Sequence, residues 1–464
     1  MSNRIRSNVV GIALAIAGGM MIRANVHGDD WPRLLGGDFE NTAGPESMQV
    51  DFTATPTLDW SLDVGDGYGL GCVADEVYYH FDGIDDPDGR AAGGRHQSRL
   101  RAIDLGSGQT VWSQFNPAEY RDLYGYESGP RTSPTVAGSH IYTMSVDGRL
   151  SGRKIVDGQL VWSIDTSKRF GVVQNFFGVG GSPLVVGDRL YAMVGGSPAA
   201  DQSIAPGRLD RVSPNGSLLV CVDRLTGREL WHAGDDLASY SSPRTITLDD
   251  RTFVLIYGRD HLWCFDAADG SVAWKYRHRA DILETVNAMM PVVIDNKILI
   301  SECYSEGSVL LRASADGVQE IWKDPPRRRQ QSMRVHWSTP VREGNFLYGC
   351  SGRNAPDSSL RCIDWTNGKL TWEAMPRKRC SVTKIPGDEI LGQPGARLLV
   401  WTERGQAELI AANPDRFESI ARWSLPVAMR YPCWASPVVI GDRVLLRDDT
   451  RVICLRFPRE TSER

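Results

Sequence analysis

Hydrophobic positions in this chain come in short runs broken by turns. A typical unit opens on Ser/Thr-Pro-Val, turns, and continues as a strand of Val, Leu and Tyr. Ser133-Pro134-Thr135-Val136 followed by Ile141-Tyr142-Thr143-Met144 is one example. Ser182-Pro183-Leu184-Val185-Val186 with Arg189-Leu190-Tyr191-Ala192 is another, and Ser242-Pro243, Met290-Pro291, Thr339-Pro340 and Ser436-Pro437 open the same way. Turn signals such as Gly187-Asp188 and Gly441-Asp442 join the paired strands. Beyond the first residues no stretch keeps a 3.6-residue period, so helix is expected to be scarce.

A second pattern lies over the first. The skeleton Asp104, Gly108, Trp112 recurs as Asp223-Gly227-Trp231, Asp266-Gly270-Trp274 and Asp364-Gly368-Trp372. It recurs in degraded form at Asp157-Gly158-Trp162 and Asp316-Gly317-Trp322, with further echoes at Trp423 and Trp60. The eight tryptophans Trp60, Trp112, Trp162, Trp231, Trp274, Trp322, Trp372 and Trp423 are spaced by 52, 50, 69, 43, 48, 50 and 51 residues. In an all-β chain a period near 50 predicts propeller blades. Eight opening strands are expected, near Gly69, Ser133, Ser182, Ser242, Pro291, Pro340, Ser381 and Ser436. The last blade, Trp434 to Phe457, has only three strands of its own. The strand around Trp60 is expected to complete it and remove the open edge. The expectation is an all-β, eight-bladed propeller of four-stranded antiparallel blades over residues 57–458. An extended segment (29–56), draped on the ring, precedes it and a polar tail (459–464) follows. Two insertions, Asp82–Gln97 and Gly195–Gly216, interrupt the rhythm between second and third strands, where function or disorder is equally consistent with the composition.

Length alone, 464 residues, would suggest two or three domains, but a closed ring is one. A net charge of −5 gives no reason to bind nucleic acid or an anionic membrane. Arg327-Arg328-Arg329 reads as a solvated loop. Residues 1–28 have the charged-then-apolar layout of a secretory signal, too short for a membrane span, and no Cys precedes Cys72 to carry a lipid. A periplasmic or secreted protein, without a transmembrane anchor after signal removal and monomeric, is the expectation. Of the nine cysteines, Cys221, Cys264, Cys362 and Cys454 share one slot in the repeat with Ala102 and Ala313, which points to a small buried side chain. Cys72–Cys433 and Cys380–Cys433 bridges remain open, and the odd count leaves at least one thiol free.

The Ala/Cys-x-Asp-x-x-x-Gly-x-x-x-Trp repeat resembles the tryptophan docking motif of the pyrroloquinoline-quinone (PQQ)-type propellers. In that family each motif Trp packs on the neighbouring blade's Gly segment. The resemblance covers about Thr57 to Phe457. It extends to both the quinoprotein alcohol dehydrogenases and the non-catalytic BamB-like proteins. Trp31-Pro32, Ser301-Glu302-Cys303-Tyr304-Ser305-Glu306-Gly307 and Val452-Ile453-Cys454-Leu455 resemble the PQQ-like repeat proteins exported by planctomycete-type bacteria. The dehydrogenase branch implies adjacent cysteines, a Ca²⁺ bound by Glu, Asn and Asp, and an Asp base. This chain has no adjacent cysteines and no Cys-x-x-Cys-His haem attachment site.

Other chemistry is thin. Asp82 to Gly89 lacks the spacing of a calcium loop and reads as an acidic surface turn. Gly178-Val179-Gly180-Gly181 precedes a strand, so a dinucleotide site fails on context. Asn215-Gly216-Ser217 is a formal sequon read as a turn, the eight histidines have no metal-ligand spacing, and no nucleophile elbow occurs. Residues just ahead of the opening strands should line one mouth of the central channel. These are Arg131, Asn175, Phe176, Tyr240, Glu284, Asn287, His336, Trp337, Arg379, Tyr431 and Trp434, with Arg334 and Arg430 adding charge. Aromatic walls with a few arginines make a default ligand site, favouring a carboxylate or phosphate, although such groups also solvate a bare channel. The reading is an exported, non-catalytic binding or scaffolding module for a protein or extracellular ligand, with no cofactor expected. The alternative is a PQQ- and Ca²⁺-dependent, or degenerate, quinoprotein oxidoreductase. A carbohydrate hydrolase would need a carboxylate partner for Glu284, and the sequence provides none.

Overall fold

The computed structural model describes residues 30–85, 96–374, 378–387 and 395–460. The expected signal segment and much of the first insertion lie outside them. Eight four-stranded antiparallel sheets follow one another around a ring. Among the described residues the only α-helix is the five-residue Thr166–Phe170. Blade 1 comprises Cys72–Ala74, Val77–Asp85, His96–Asp104 and Thr110–Pro117, and each later blade repeats this plan from a short inner strand outwards. Blade 8 has Val438–Ile440, Arg443–Arg447 and Arg451–Arg456. Its outer strand is Thr57–Asp63 from the other end of the chain, with Trp60 opposite Cys454. The ring closes as the orphan tryptophan predicts.

The register explains the small slot in the repeat. Ala102, Cys221, Cys264, Cys362 and Cys454 each stand directly across from a docking tryptophan, with a bulge just beside the pair. Gly152 plays this part opposite Trp162, where a Cβ would come within 2.6 Å of the indole. Blade 5 departs from expectation. Ala313 pairs with Val318, and Leu310 faces Trp322, because the hairpin there closes through a two-residue turn between Ser314 and Gly317.

Each docking ring then reaches the next blade. Trp60, Trp112, Trp162, Trp274, Trp322 and Trp372 donate their indole N–H to carbonyls of Leu105, Ile155, Arg224, Ser314, Trp365 and Asn413 at 2.8–3.2 Å. Trp423 of blade 7 faces blade 8, whose third and outer strands come from opposite ends of the chain and share no turn, and it donates instead to Phe52 O of the N-terminal segment at 2.9 Å. Trp231 alone leaves its N–H unpartnered, since the Ala267 carbonyl is taken by the Tyr191 hydroxyl at 2.7 Å. The repeat glycines lie under these rings. Gly227 has φ +71° and a Cβ there would sit 2.6 Å from Trp162. The repeat Asp caps the same turn, as where Asp104 accepts from Ser107 N–H at 2.8 Å.

Around the channel the Ser/Thr-Pro openings tie blade to blade. Ser133 N–H donates to Ser182 Oγ and Ser182 N–H to Ser242 Oγ, both at 2.9 Å, and Met290 N–H donates to Thr339 Oγ1 at 3.0 Å. The segment ahead of Thr57 does more than drape. Trp31 bridges to Val73 of blade 1, Val136 N–H of blade 2 donates to Pro32 O, and Lys384 N–H of blade 7 donates to Asn41 O. Leu35 and Phe39 pack with blades 3 and 4. The segment therefore crosses the bore.

Two expectations need correction. All nine cysteines are buried free thiols, so neither Cys72–Cys433 nor Cys380–Cys433 is bridged. Cys433 Sγ instead donates to Arg430 O within its own loop at 3.1 Å. Asp82 is a fully buried strand residue, held by Arg99 at 2.6 Å and Arg101 at 3.0 Å, and not a surface turn. Those two guanidiniums hold its acidity near pKa 2 against the opposing effect of burial. Positions 86–89 of that expected turn are outside the described residues.

Candidate functional site

The bore opens at one end into a cup of about 540 Å³. Trp31, Leu34, Leu35 and Asn41 of the N-terminal segment line it, reaching the inner strands farther along than the mouth residues do, so they form its floor. The walls are aromatic. Each inter-blade connection brings one or two rings, and the rings touch in sequence around the mouth. Tyr240 meets Phe177 at 5.5 Å, Phe177 meets Tyr126 at 5.1 Å, and Tyr126 meets Trp434 at 5.9 Å. Trp434 meets Trp337 at 6.0 Å, Trp337 meets His336 at 5.3 Å, and His336 meets Tyr304 at 6.1 Å. Edge and tilted contacts at these distances are favourable and fix ring orientation. Tyr124 and Tyr126 stay 52% and 43% exposed, which leaves a wet, apolar rim.

Three arginines enter this belt differently. Arg131 lies over Tyr68 at 5.1 Å and pairs with Asp122 at 3.4 Å. Arg379 lies over Trp337 at 4.8 Å and Trp434 at 5.0 Å, and its Nε donates to Glu403 Oε2 at 2.8 Å. Arg353 lies over Tyr304 at 4.8 Å and has no acid partner among the described residues. Stacking on ring faces holds all three guanidiniums against the wall. Burial, with Arg379 and Arg353 nearby, lowers the His336 imidazole to about 3, so it is neutral at physiological pH. Among the described residues Glu284 is the one carboxylate in the lining. The cup is thus an aromatic socket in which two of the three guanidiniums are paired with acids and Arg353, among the described residues, is not.

Of the residues singled out in the sequence, Arg131, Phe176, Tyr240, Glu284, His336, Trp337, Arg379 and Trp434 line the cup. Tyr431 stands on its rim, where its hydroxyl accepts from Arg379 at 3.4 Å. Asn175 turns inward instead and donates to Ala238 O, and Asn287 donates to Gly258 O and Arg259 O. Both side chains satisfy backbone groups of neighbouring loops. Arg334 is buried and grips Asp357 at 2.9 Å, while Arg430 is exposed outside the lining. Sequence reasoning missed Tyr68, Tyr124, Tyr126, Phe177, Tyr304, Arg353 and the floor. The loop aromatics obey the same mouth rule over a wider window. Tyr304 and Arg353 come from turns between second and third strands, which that rule leaves out.

The second insertion builds the wall from behind. Leu209 and Val212 are buried with Phe176, Leu237 and Val286. Asn215 of the formal sequon donates to Phe170 O at 2.8 Å and Ser197 O at 3.1 Å, in keeping with a turn. Among the described residues no three His, Cys, Asp or Glu side chains are grouped to hold a metal ion. The lining of the cup holds Glu284 as its one carboxylate among the described residues, short of the Glu and Asp pair that the resemblance to the dehydrogenases implies for a calcium ion.

The structure is similar to BamB from Moraxella catarrhalis, with a TM-score of 0.55 and 14% identity over 87% of this chain and 98% of that one. It is similar to the quinohemoprotein alcohol dehydrogenase of Comamonas testosteroni, with a TM-score of 0.56 and 11% identity over 92% and 80%. At such identities the likeness is one of fold. An uncharacterized protein of Rickettsia prowazekii is 22% identical over 197 residues, 42% of this chain and 39% of its own length. The sequence profile of the family described as outer membrane protein assembly factor BamB matches residues 96–208 and 215–462, most of the chain. With its eight closed blades and docking tryptophans, the chain belongs to this BamB family of PQQ-like propellers.

Proposed function

We propose that the protein is an exported, non-catalytic binding propeller that takes an aromatic or apolar group carrying an anionic terminus into the cup. The observation that carries this reading is Arg353. Its guanidinium is stacked on Tyr304, faces the cavity and has no acid partner among the described residues. A carboxylate, sulfonate or phosphate arriving there gains a charge-assisted contact with a guanidinium that is exposed to solvent and held on a ring face. The ring belt supplies apolar area and the N-terminal floor closes the far end. The ligand enters from the rim, where Tyr124, Tyr126 and Tyr431 are exposed. A protein partner would insert such a group from its own surface.

The test uses 8-anilinonaphthalene-1-sulfonate, a planar aromatic anion, followed by its own emission and by quenching of Trp337 and Trp434. One saturable site is expected, weakened about tenfold in Arg353→Ala, which corresponds to about 1.4 kcal/mol. Non-saturable binding, or a site indifferent to both Arg353→Ala and Trp337→Ala, would overturn the reading. Competition with pyrroloquinoline quinone is run with and without Ca²⁺. Displacement that requires Ca²⁺ would favour the quinoprotein oxidoreductase instead.

A further inference from the structure

Two thiols meet across the seam between blades 6 and 7. Cys350 lies near the end of Phe346–Ser351, the second strand of blade 6, and Cys380 opens Cys380–Ile385, the inner strand of blade 7. The Cys380 N–H donates to Cys350 Sγ at 3.3 Å, and the Cys350 thiol points to Lys378 O at 4.0 Å, two residues before Cys380. They are 5% and 1% exposed. The repeat-slot cysteines have no such neighbour in their register, because each faces a tryptophan. A cysteine sulfur 3.3 Å from the backbone N–H of a second cysteine across the seam brings the pair within the reach a disulfide needs.

We propose that Cys350 and Cys380 are an inter-blade disulfide site, closed during folding by thiol–disulfide exchange with a disulfide donor. Hydrogen bonds from Cys380 hold the Cys350 thiol below its usual range, while contact with Cys350 and burial push Cys380 well up. With the seam still open either thiol can be the attacking thiolate, and the balance is the same with Cys350 first. Its sulfur displaces one half of the donor, forming a mixed disulfide. Cys380, losing its proton, then displaces the other half and forms the Cys350–Cys380 bond. Two electrons and two protons pass from the pair to the donor, which leaves as two thiols. Burial sets the order of events: the bond forms before the seam closes and is shielded from reductant afterwards. It also anchors the residue next to Arg379, whose guanidinium spans Trp337 and Trp434 in the cup.

The test is peptide mapping of the full chain folded in a buffer of oxidised and reduced glutathione, alkylated under denaturing conditions without reductant. A linked peptide pair containing Cys350 and Cys380 is expected, with the other seven of the nine cysteines alkylated. In Cys350→Ala, Cys380 should alkylate fully and link to nothing else. Nine alkylated thiols in the wild-type chain, or Cys380 linked to any other cysteine, would overturn the proposal. The wild-type map stands whether or not the variant folds, and it is independent of what the cup binds.

Discussion

At the scale of single residues, the docking contacts show how one repeat meets two needs. The repeat Gly must adopt a left-handed backbone and must also lie under a neighbouring indole. Gly227→Ala offends on both counts, since φ is +71° and the Cβ would meet Trp162 at 2.6 Å. Strain of about 1–2 kcal/mol from the backbone adds to the displaced ring, so chemical denaturation should show a loss above about 2 kcal/mol. The tryptophans themselves are not equivalent. Trp274 gives its N–H to Ser314 O at 3.0 Å, whereas the Trp231 N–H has no partner. Trp274→Phe removes a made hydrogen bond and leaves a carbonyl short, for about 1–2 kcal/mol. Trp231→Phe removes a donor already unsatisfied, so it should cost less or nothing. Equal losses in the two variants would mean that ring packing alone matters at this position.

At the scale of elements, the connection between blades 1 and 2 depends on one proton. Glu127 lies in the loop that carries Tyr124 and Tyr126, and it reaches blade 8, where its carboxyl is hydrogen-bonded to Asp449 and accepts from Gly67 N–H. Burial first, and then the shared hydrogen bond with Asp449, raise Glu127 from 4.5 to about 8. The folded chain holds this proton more tightly than the unfolded chain does. The contribution is therefore complete below about pH 4.5 and is lost as pH rises through 8. Thermal midpoints measured across that window should fall, and Glu127→Gln should flatten the decline. A slope unchanged in Glu127→Gln would assign it to other groups. The same loop shows what the sequence made legible. Trp112 and the Pro134 opening bound the connection at both ends, because blades force a fixed spacing on large rings and on turn residues. What the connection does between them depends on tertiary contact. Asn175 and Asn287 read as mouth residues, yet they turn inward to satisfy buried backbone carbonyls. Tyr304 and Arg353 enter the cup from turns whose aim depends on how blades 5 and 6 tilt. The floor arises from residues 31–41, which have no periodicity to read. The ring was legible because it repeats, whereas much of the cup wall and its floor come from residues outside the repeat.

At the scale of the whole molecule, stability rests on how the ring is closed. Seven blades have outer strands joined to their third strands by a short turn, so a strand that lifts away is held close and returns. The outer strand of blade 8 has no such turn. Thr57–Asp63 is held by its ladder to Arg451–Arg456, by Asp59 with Arg456 at 2.8 Å and Arg443 at 3.3 Å, and by Trp60 docked on Gly108 and Leu105. Removing either Trp60 or Trp372 as Ala takes away a buried indole and one hydrogen bond, a similar local loss of about 3–5 kcal/mol. The consequences differ because only the first exposes an edge that spans the closure. Hydrogen exchange distinguishes them. In Trp60→Ala the amides of Val452 to Arg456 should lose protection together with those of Trp60 to Asp63, as the seam opens locally well below global unfolding. In Trp372→Ala the seam amides should keep wild-type protection, and the increase should stay with Lys369–Ala374 and its neighbours. Intact protection at Val452 to Arg456 in Trp60→Ala would show that the inner strands and the N-terminal segment, with Phe52 receiving Trp423, hold the ring without the shared blade.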